Sequence, residues 1–275
     1  MSKTELIPFL KWAGGKRQLL SEIKKHIPDN INTYYEPFVG AGAVFLDLQP
    51  QTAVINDINS ELINCYKVIR DNPEKLILEL SKFVNSEEEF YKIRNWDKEK
   101  NYEKRSDIEK AARTIYLNKT CFNGLYRVNS KGYFNTPYGK YKNPSFIQEE
   151  NIYNLSKYFK SAKIQFLNKD FENVLKEAKK GDFVYLDPPY YPINKTSSFT
   201  GYSQNGFSEK EQIRLKSVLD ILNSKGVFFL LSNSCCDFIK NLYKNYEIIE
   251  IFAKRNINSV GNKRDGVKEV LIKNF

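Results

Sequence analysis

The chain has 275 residues, enough for one large domain or two modest ones, and 41% of them are hydrophobic, enough to build a core. Lys and Arg number 43 against 33 Asp and Glu, a formal net charge of +10 that favours a polyanionic partner such as nucleic acid, although abundant lysine also produces a generic basic surface. No stretch approaches the roughly 20 apolar residues of a membrane span, and the N-terminus lacks a signal-peptide pattern, so a cytoplasmic chain with no membrane partner is expected.

In chain order, a Gly-Gly turn within Leu10–Lys16 precedes a helix expected over Gln18–His26. Strand Thr33–Glu36 leads into a glycine-rich turn and a short helix, Ala43–Leu48, and then strand Ala53–Asn56. Residues 60–118 place apolar side chains at helical spacing among many charges. Residues 120–145 change to aromatic, Gly, Asn and Pro content, which reads as a loop or hairpin. A helix runs from after Pro144 to about Phe159. Alternation then resumes: strand Ala162–Leu167, helix Phe171–Lys179, strand Phe183–Leu186, helix Ser208–Asn223, strand Val227–Ser232, helix Cys236–Tyr243, strand Glu247–Phe252 and a last strand, Glu269–Lys273. Strands alternating with helices predict an α/β fold with a parallel, doubly wound sheet. Residues 60–147 fall between its two halves as an insertion. Cys65, Cys121, Cys235 and Cys236 show no zinc spacing and read as buried or semi-buried thiols. With His26 the only histidine, neither a metal site nor a histidine base is expected.

The tetrad Asp187-Pro188-Pro189-Tyr190 follows an apolar strand, so it stands where open α/β sheets bind ligands. Proline donates no N–H, and the carbonyl between the two prolines is an acceptor. Asp187 and that carbonyl can together accept both hydrogens of an amino group on a planar base, and Tyr190 can stack on its face. Alone, the tetrad also suits a rigid turn with a solvated Asp. The turn Glu36-Pro37-Phe38-Val39-Gly40-Ala41-Gly42 lets backbone approach a ligand closely. Asp57, ending the next strand, can accept from both hydroxyls of a ribose. Phe45 stands where a dinucleotide fingerprint has its third glycine, which argues against NAD; the alternative role for Asp57 is capping the following helix. Trp12 can cover a sulfonium methyl or a purine and Lys16 can bind a carboxylate, or Trp12 is core and Lys16 surface. The segment Phe122–Tyr141 interleaves Arg127, Asn123, Lys140 and apolar or aromatic wedges, suited to base and phosphate contact, or it is an aromatic mini-core beneath a loop.

In this order the motifs Lys11–Lys16, Glu36–Gly42, Asn56-Asp57, Phe122–Tyr141 and Asp187–Tyr190 resemble, over nearly the whole chain, the Dam-type (D12 class) DNA adenine-N6 methyltransferases. The resemblance implies a Rossmann-like methyltransferase sheet formed by residues 1–59 and 148–275, interrupted by a mostly helical DNA target-recognition domain at 60–147 that carries a hairpin. It implies S-adenosylmethionine as cofactor, held by Trp12, Lys16, Asp57 and Asp187, with Phe38, Gly40, Gly42, Asp170 and Phe171 as further pocket residues. It implies double-stranded DNA as partner, GATC as target, and a cognate restriction endonuclease acting separately as a possible companion. Arg127 would read the guanine, Leu125, Pro137 and Tyr141 other bases. Phe122 would enter the stack, Asn123 contact the site and Lys140 a phosphate. Family members often have Tyr at the position of Phe122 and Arg at that of Lys140.

Adenine's amino nitrogen is a poor nucleophile because its lone pair is delocalised. Acceptors on both N–H bonds favour a pyramidal, nucleophilic nitrogen, and the base must be flipped out of the duplex to be reached. Asp187, Pro188, Pro189 and Tyr190 are the expected catalytic set. Two alternatives remain: methylation of another planar amide or amine, by enzymes that more often carry Asn at the position of Asp187, and a DNA-binding module whose methylation site has decayed.

Overall fold

The computed structural model describes residues 4–12, 14–193, 207–253 and 267–275, so Ala13 of the first motif lies outside the described residues. Among these, the elements are α1 (Leu20–Lys25), β1 (Tyr34–Glu36), α2 (Ala43–Leu48), β2 (Thr52–Asn56), α3 (Ser60–Asp71), α4 (Pro73–Leu80), α5 (Glu87–Arg94), α6 (Asp107–Thr120), α7 (Glu149–Ser161), β3 (Lys163–Leu167), α8 (Phe171–Leu175), β4 (Phe183–Leu186), α9 (Glu209–Ser224), β5 (Phe228–Ser234), α10 (Asp237–Leu242), β6 (Glu247–Ala253) and β7 (Val267–Lys273). The seven described strands form one sheet in the order β3-β2-β1-β4-β5-β7-β6. The order reverses between β1 and β4, the position at which such sheets open a crevice above their strand ends.

The Rossmann-like α/β expectation holds, with one correction. The expected sheet was parallel and doubly wound, and among the described strands β7 departs from that, running antiparallel to both β5 and β6 and lying between them. A parallel neighbour needs a crossover, usually a helix, whereas an antiparallel one can follow without it. Two helices also differ from expectation. The first opens as a tight 3-10 turn, Lys16–Leu19, before α1, and α8 stops at Leu175.

Local sequence accounts for the helix starts. Asn59 caps α3 by accepting from the Leu62 amide at 3.0 Å. Ser86 caps α5, Pro73 occupies the first turn of α4, and Ser106 with Glu109 forms a reciprocal capping box on α6. Such a cap typically contributes about 1 kcal/mol. Strand β4 is buried along its whole length, as a central strand covered on both faces must be. Alternate residues serve opposite layers: Tyr34, Phe183 and Tyr185 pack with α2, α3 and α7, whereas Tyr35, Val184 and Leu186 pack with α8, α9 and α10. The first layer continues without a break into α4–α6 through Leu76, Phe90, Ile115 and Tyr116.

Beyond α6 the chain makes a 3-10 turn at Phe122–Gly124 and then folds back through two isolated antiparallel bridges, Cys121↔Tyr138 and Val128↔Phe134. This is the expected hairpin in outline, held by bonds such as Asn135 N–H to the Arg127 carbonyl at 2.9 Å. Cys65 and Cys121 are buried, and Cys235 and Cys236 are half-buried thiols, as their residue type suggested.

Candidate active site at the strand ends

Three turns meet side by side. The glycine-rich turn leaves β1, Asp57 follows β2 and Asp187 follows β4, and β1 pairs in parallel with both neighbours. Strands lie about 4.8 Å apart, so the two carboxylates flank the glycine turn on one sheet edge.

The glycine turn is fixed from several directions. Gly40 has φ +51° and Gly42 φ +72°, values that favour glycine. A Cβ on Gly40 would lie 2.8 Å from Trp12 Cδ1, and one on Gly42 would lie 2.6 Å from the Tyr66 hydroxyl. The Tyr66 hydroxyl in turn donates to the Gly40 carbonyl at 3.1 Å. Phe45 is fully buried, stacked 5.9 Å from Phe159, so its bulk serves the core. Buried Asn56 ties the turn to the β3 loop, donating to the Pro37 and Lys169 carbonyls at 3.0 Å each.

Asp57 accepts from the Gly40 amide at 3.0 Å and from the Asn59 amide at 2.9 Å. The capping role belongs to Asn59, not Asp57. Its enclosed position pushes the Asp57 carboxyl up to about 6 by desolvation, against the pull of those amides.

Lys16 was expected at a cofactor carboxylate, or on the surface. Its side chain is only 6% exposed, and its ammonium pairs with Asp187 Oδ1 at 2.9 Å, donates to the Gly14 carbonyl at 2.9 Å, and sits 4.7 Å from the centre of the Tyr190 ring. Desolvation raises the Asp187 carboxyl above its ordinary value, and Lys16 opposes that shift. Tyr190 donates to Glu269 Oε2 at 2.7 Å, a contact that exists because β7 lies beside β5.

Further along the edge, Phe38 packs 5.4 Å from Phe171 and 5.7 Å from Phe207. Asp170 caps α8 through the Glu172 amide at 3.0 Å. It is also gripped by Arg214 at 2.9 and 2.8 Å, and these hydrogen bonds hold its carboxyl below the usual range. The same guanidinium lies 4.1 Å from the Phe171 ring centre.

Residues 12–257 match the family model described as D12 class N6 adenine-specific DNA methyltransferase. The chain belongs to this family. The methyltransferase is 47% identical over 276 residues to a protein named Type II methyltransferase M1.LlaDCHI from Lactococcus lactis subsp. cremoris, covering 100% of this chain and 97% of that one. It is 46% identical over 291 residues to Type II methyltransferase M.MjaIII from Methanocaldococcus jannaschii, covering 98% and 100%. It is 33% identical over 268 residues to the DNA adenine methylase of Vibrio cholerae serotype O1, covering 96% and 94%. The enzyme is therefore an adenine-specific methyltransferase acting on DNA. Among the described residues no helix is long and apolar enough to cross a membrane.

In the hairpin of the methyltransferase, part of the aromatic segment is core and part stands at the surface. Tyr126 and Phe134 are buried against each other, and Tyr126 stacks on Trp12 with ring centres 5.2 Å apart. Phe122 is 53% and Leu125 38% exposed. Asn123, Arg127, Pro137 and Lys140 are also exposed, while Tyr141 is half-buried with the Lys11 ammonium 5.1 Å from its ring centre. Arg127 Nε donates to Asn135 Oδ1 at 2.8 Å, which orients its guanidinium.

Sequence reasoning missed Glu269, Arg214 and Phe207, which touch Tyr190, Asp170 and Phe38. None belongs to a local motif; each reaches the edge from a distant element.

Glu36 is 2% exposed, accepts from the Tyr34 hydroxyl at 2.6 Å, and is pushed from 4.5 up to about 8, chiefly by desolvation. The folded chain therefore holds a proton that the unfolded chain releases near pH 4.5. This contribution to stability is fully present below that value and is lost as pH rises towards about 8. Glu36→Gln carries no such proton, so melting temperature measured across this window should fall less steeply with pH in the variant. Parallel curves for the two proteins would refute the assignment.

Proposed function

We propose that the methyltransferase transfers the methyl group of S-adenosylmethionine to N6 of a flipped adenine in GATC. Residues 1–59 and 148–275 would bind cofactor and carry the chemistry, and 60–147 would recognise DNA. The observation that carries this reading is the meeting of three parts at one sheet edge. Asp187 stands one strand from the glycine turn, that turn rests against Trp12, and Trp12 stacks on Tyr126 of the hairpin.

The residues present fit the cofactor. The glycine turn leaves no room for a Cβ, Asp57 stands ready for a ribose, and Phe38, Phe171 and Phe207 make an aromatic cluster suited to a purine. When bound, S-adenosylmethionine supplies an electrophilic methyl group, so the chain needs only to place and activate the nitrogen. Asp187 and the Pro188 carbonyl accept the two amino hydrogens, and Tyr190 stacks on the base. Burial of Asp187 favours its taking the proton that the methylated nitrogen loses, and water then receives it. Asp170 contributes by holding Phe171 in place while paired with Arg214. The names of the two relatives at 47% and 46% identity support a role beside a separately acting restriction endonuclease.

Mapping the base labelled in mixed-sequence duplex DNA tests the target directly. Arg127 is expected to read guanine in a bidentate contact worth roughly 1–3 kcal/mol of discrimination. Arg127→Ala should lower activity on GATC far more than on duplexes altered at the guanine. Lys140→Ala should weaken binding about equally on every sequence and reduce the salt slope by about one. Full preference for guanine in Arg127→Ala would assign base reading to another segment.

A further inference from the structure

The backbone of the catalytic turn is held from behind by two buried amides. Gln212, in the first turn of α9, and Asn233, on β5, are both fully buried. Gln212 Nε2 donates to the Pro189 carbonyl at 2.9 Å, and Gln212 Oε1 accepts from Asn233 Nδ2 at 3.1 Å. Asn233 Oδ1 accepts from the Tyr191 amide at 3.2 Å and the Ser234 amide at 2.8 Å. The Ser234 hydroxyl donates to the Tyr191 carbonyl at 2.8 Å.

Burying a carboxamide is costly unless its hydrogen bonds are made, so apolar side chains would be the cheaper filling if packing were the only demand. The turn itself explains the choice. Pro188 and Pro189 have no N–H to anchor, and the groups gripped beyond them are the Pro189 carbonyl and the Tyr191 amide. A carboxamide both donates and accepts, so two in series can grip an acceptor and a donor two residues apart. Both handles adjoin the groups assigned to the adenine: the Pro188 carbonyl lies one peptide before the Gln212 contact, and Tyr190 lies between the two contacts.

We propose that Gln212 and Asn233 are positioning residues for methyl transfer, forming an amide relay that aims the Pro188 carbonyl and the Tyr190 ring at the adenine held by Asp187. This rests on the reading of Asp187–Tyr190 as the site of methyl transfer. Misplacing a reacting group by about 1 Å costs on the order of 10²-fold in rate, so a small relaxation of the turn is enough to be seen.

The test uses the full chain, labelled S-adenosylmethionine and a GATC duplex. Gln212→Met keeps the length of the side chain and removes its hydrogen bonds. Its single-turnover rate should fall on the order of 10²-fold, with cofactor and DNA dissociation constants within about twofold of wild type. Asn233→Asp keeps the acceptor for Tyr191 and loses the donor to Gln212, and should slow the same step about tenfold. The double variant should be no slower than Gln212→Met, because one relay breaks only once. If Gln212→Met does not fold, the rate and affinities of Asn233→Asp decide the matter by the same criteria. A wild-type rate, or a rate loss matched by equal losses of cofactor and DNA affinity, overturns the relay. Asp187→Ala serves as the control: if it is inactive while Gln212→Met is fully active, only the relay fails, and if it remains active the site reading itself fails.

Discussion

Replacing Asp187 with alanine is expected to slow methyl transfer on the order of 10²-fold or more, the usual cost of losing a preorganised electrostatic contact, while leaving DNA affinity nearly unchanged. In the proposed reading the acceptor acts on one amino group, whereas contacts to phosphates supply most of the affinity for DNA. The structure adds a second consequence. Lys16 is almost wholly buried and its ammonium meets Asp187 at 2.9 Å, so alanine leaves that charge without its carboxylate. Asp187→Asn separates the two effects: it retains a carbonyl oxygen for the Lys16 ammonium but presents one acceptor instead of a charged carboxylate. Its melting temperature should lie closer to wild type than that of the alanine variant, and its rate should remain low. Single-turnover labelling and DNA titration of both variants measure this directly. Near-wild-type turnover in Asp187→Ala would remove Asp187 from the chemistry.

The second large effect is expected at Asp57. Two charge-assisted hydrogen bonds to a ribose are worth about 1.5–3 kcal/mol each, so Asp57→Ala should weaken cofactor binding by roughly 10²-fold or more and change DNA affinity far less. The carboxylate also accepts from the Gly40 and Asn59 amides, so part of the loss will come from a looser glycine turn. A pH titration distinguishes the ribose contact. The carboxyl titrates at about 6 in the folded chain. As pH falls through that value Asp57 gains a proton, its oxygens become weaker acceptors, and wild-type affinity for the cofactor should decline. Asp57→Asn cannot gain that proton and should show a flatter profile. Calorimetric titration of both proteins above and below about pH 6 gives the comparison. Equal cofactor affinity in Asp57→Ala and wild type would leave Asp57 as a brace of the turn and nothing more.

What the chain alone determined lies within short segments. The apolar run Phe183–Leu186 followed by Asp187-Pro188-Pro189-Tyr190, the glycines whose positive φ values the turn after β1 requires, and the acid ending β2 are each local. Their chemistry is readable because strand length, proline geometry and glycine freedom act over a few residues. The α/β alternation placed all three at strand ends, and parallel pairing of β2, β1 and β4 brought them together as expected. Only the tertiary structure decided what surrounds them. The antiparallel insertion of β7 carries Glu269 to Tyr190, although 79 residues separate them in the chain. Arg214 reaches back 44 residues to Asp170, and Asn233 reaches 42 residues to the Tyr191 amide. Lys16 turned inward to Asp187 instead of outward, and the buried half of the aromatic segment joined Trp12 while Phe122 and Leu125 stayed at the surface. Such contacts leave no period or spacing in the sequence. A buried amide or arginine is chosen by the partner it meets across the fold, and that partner is set by strand order and direction.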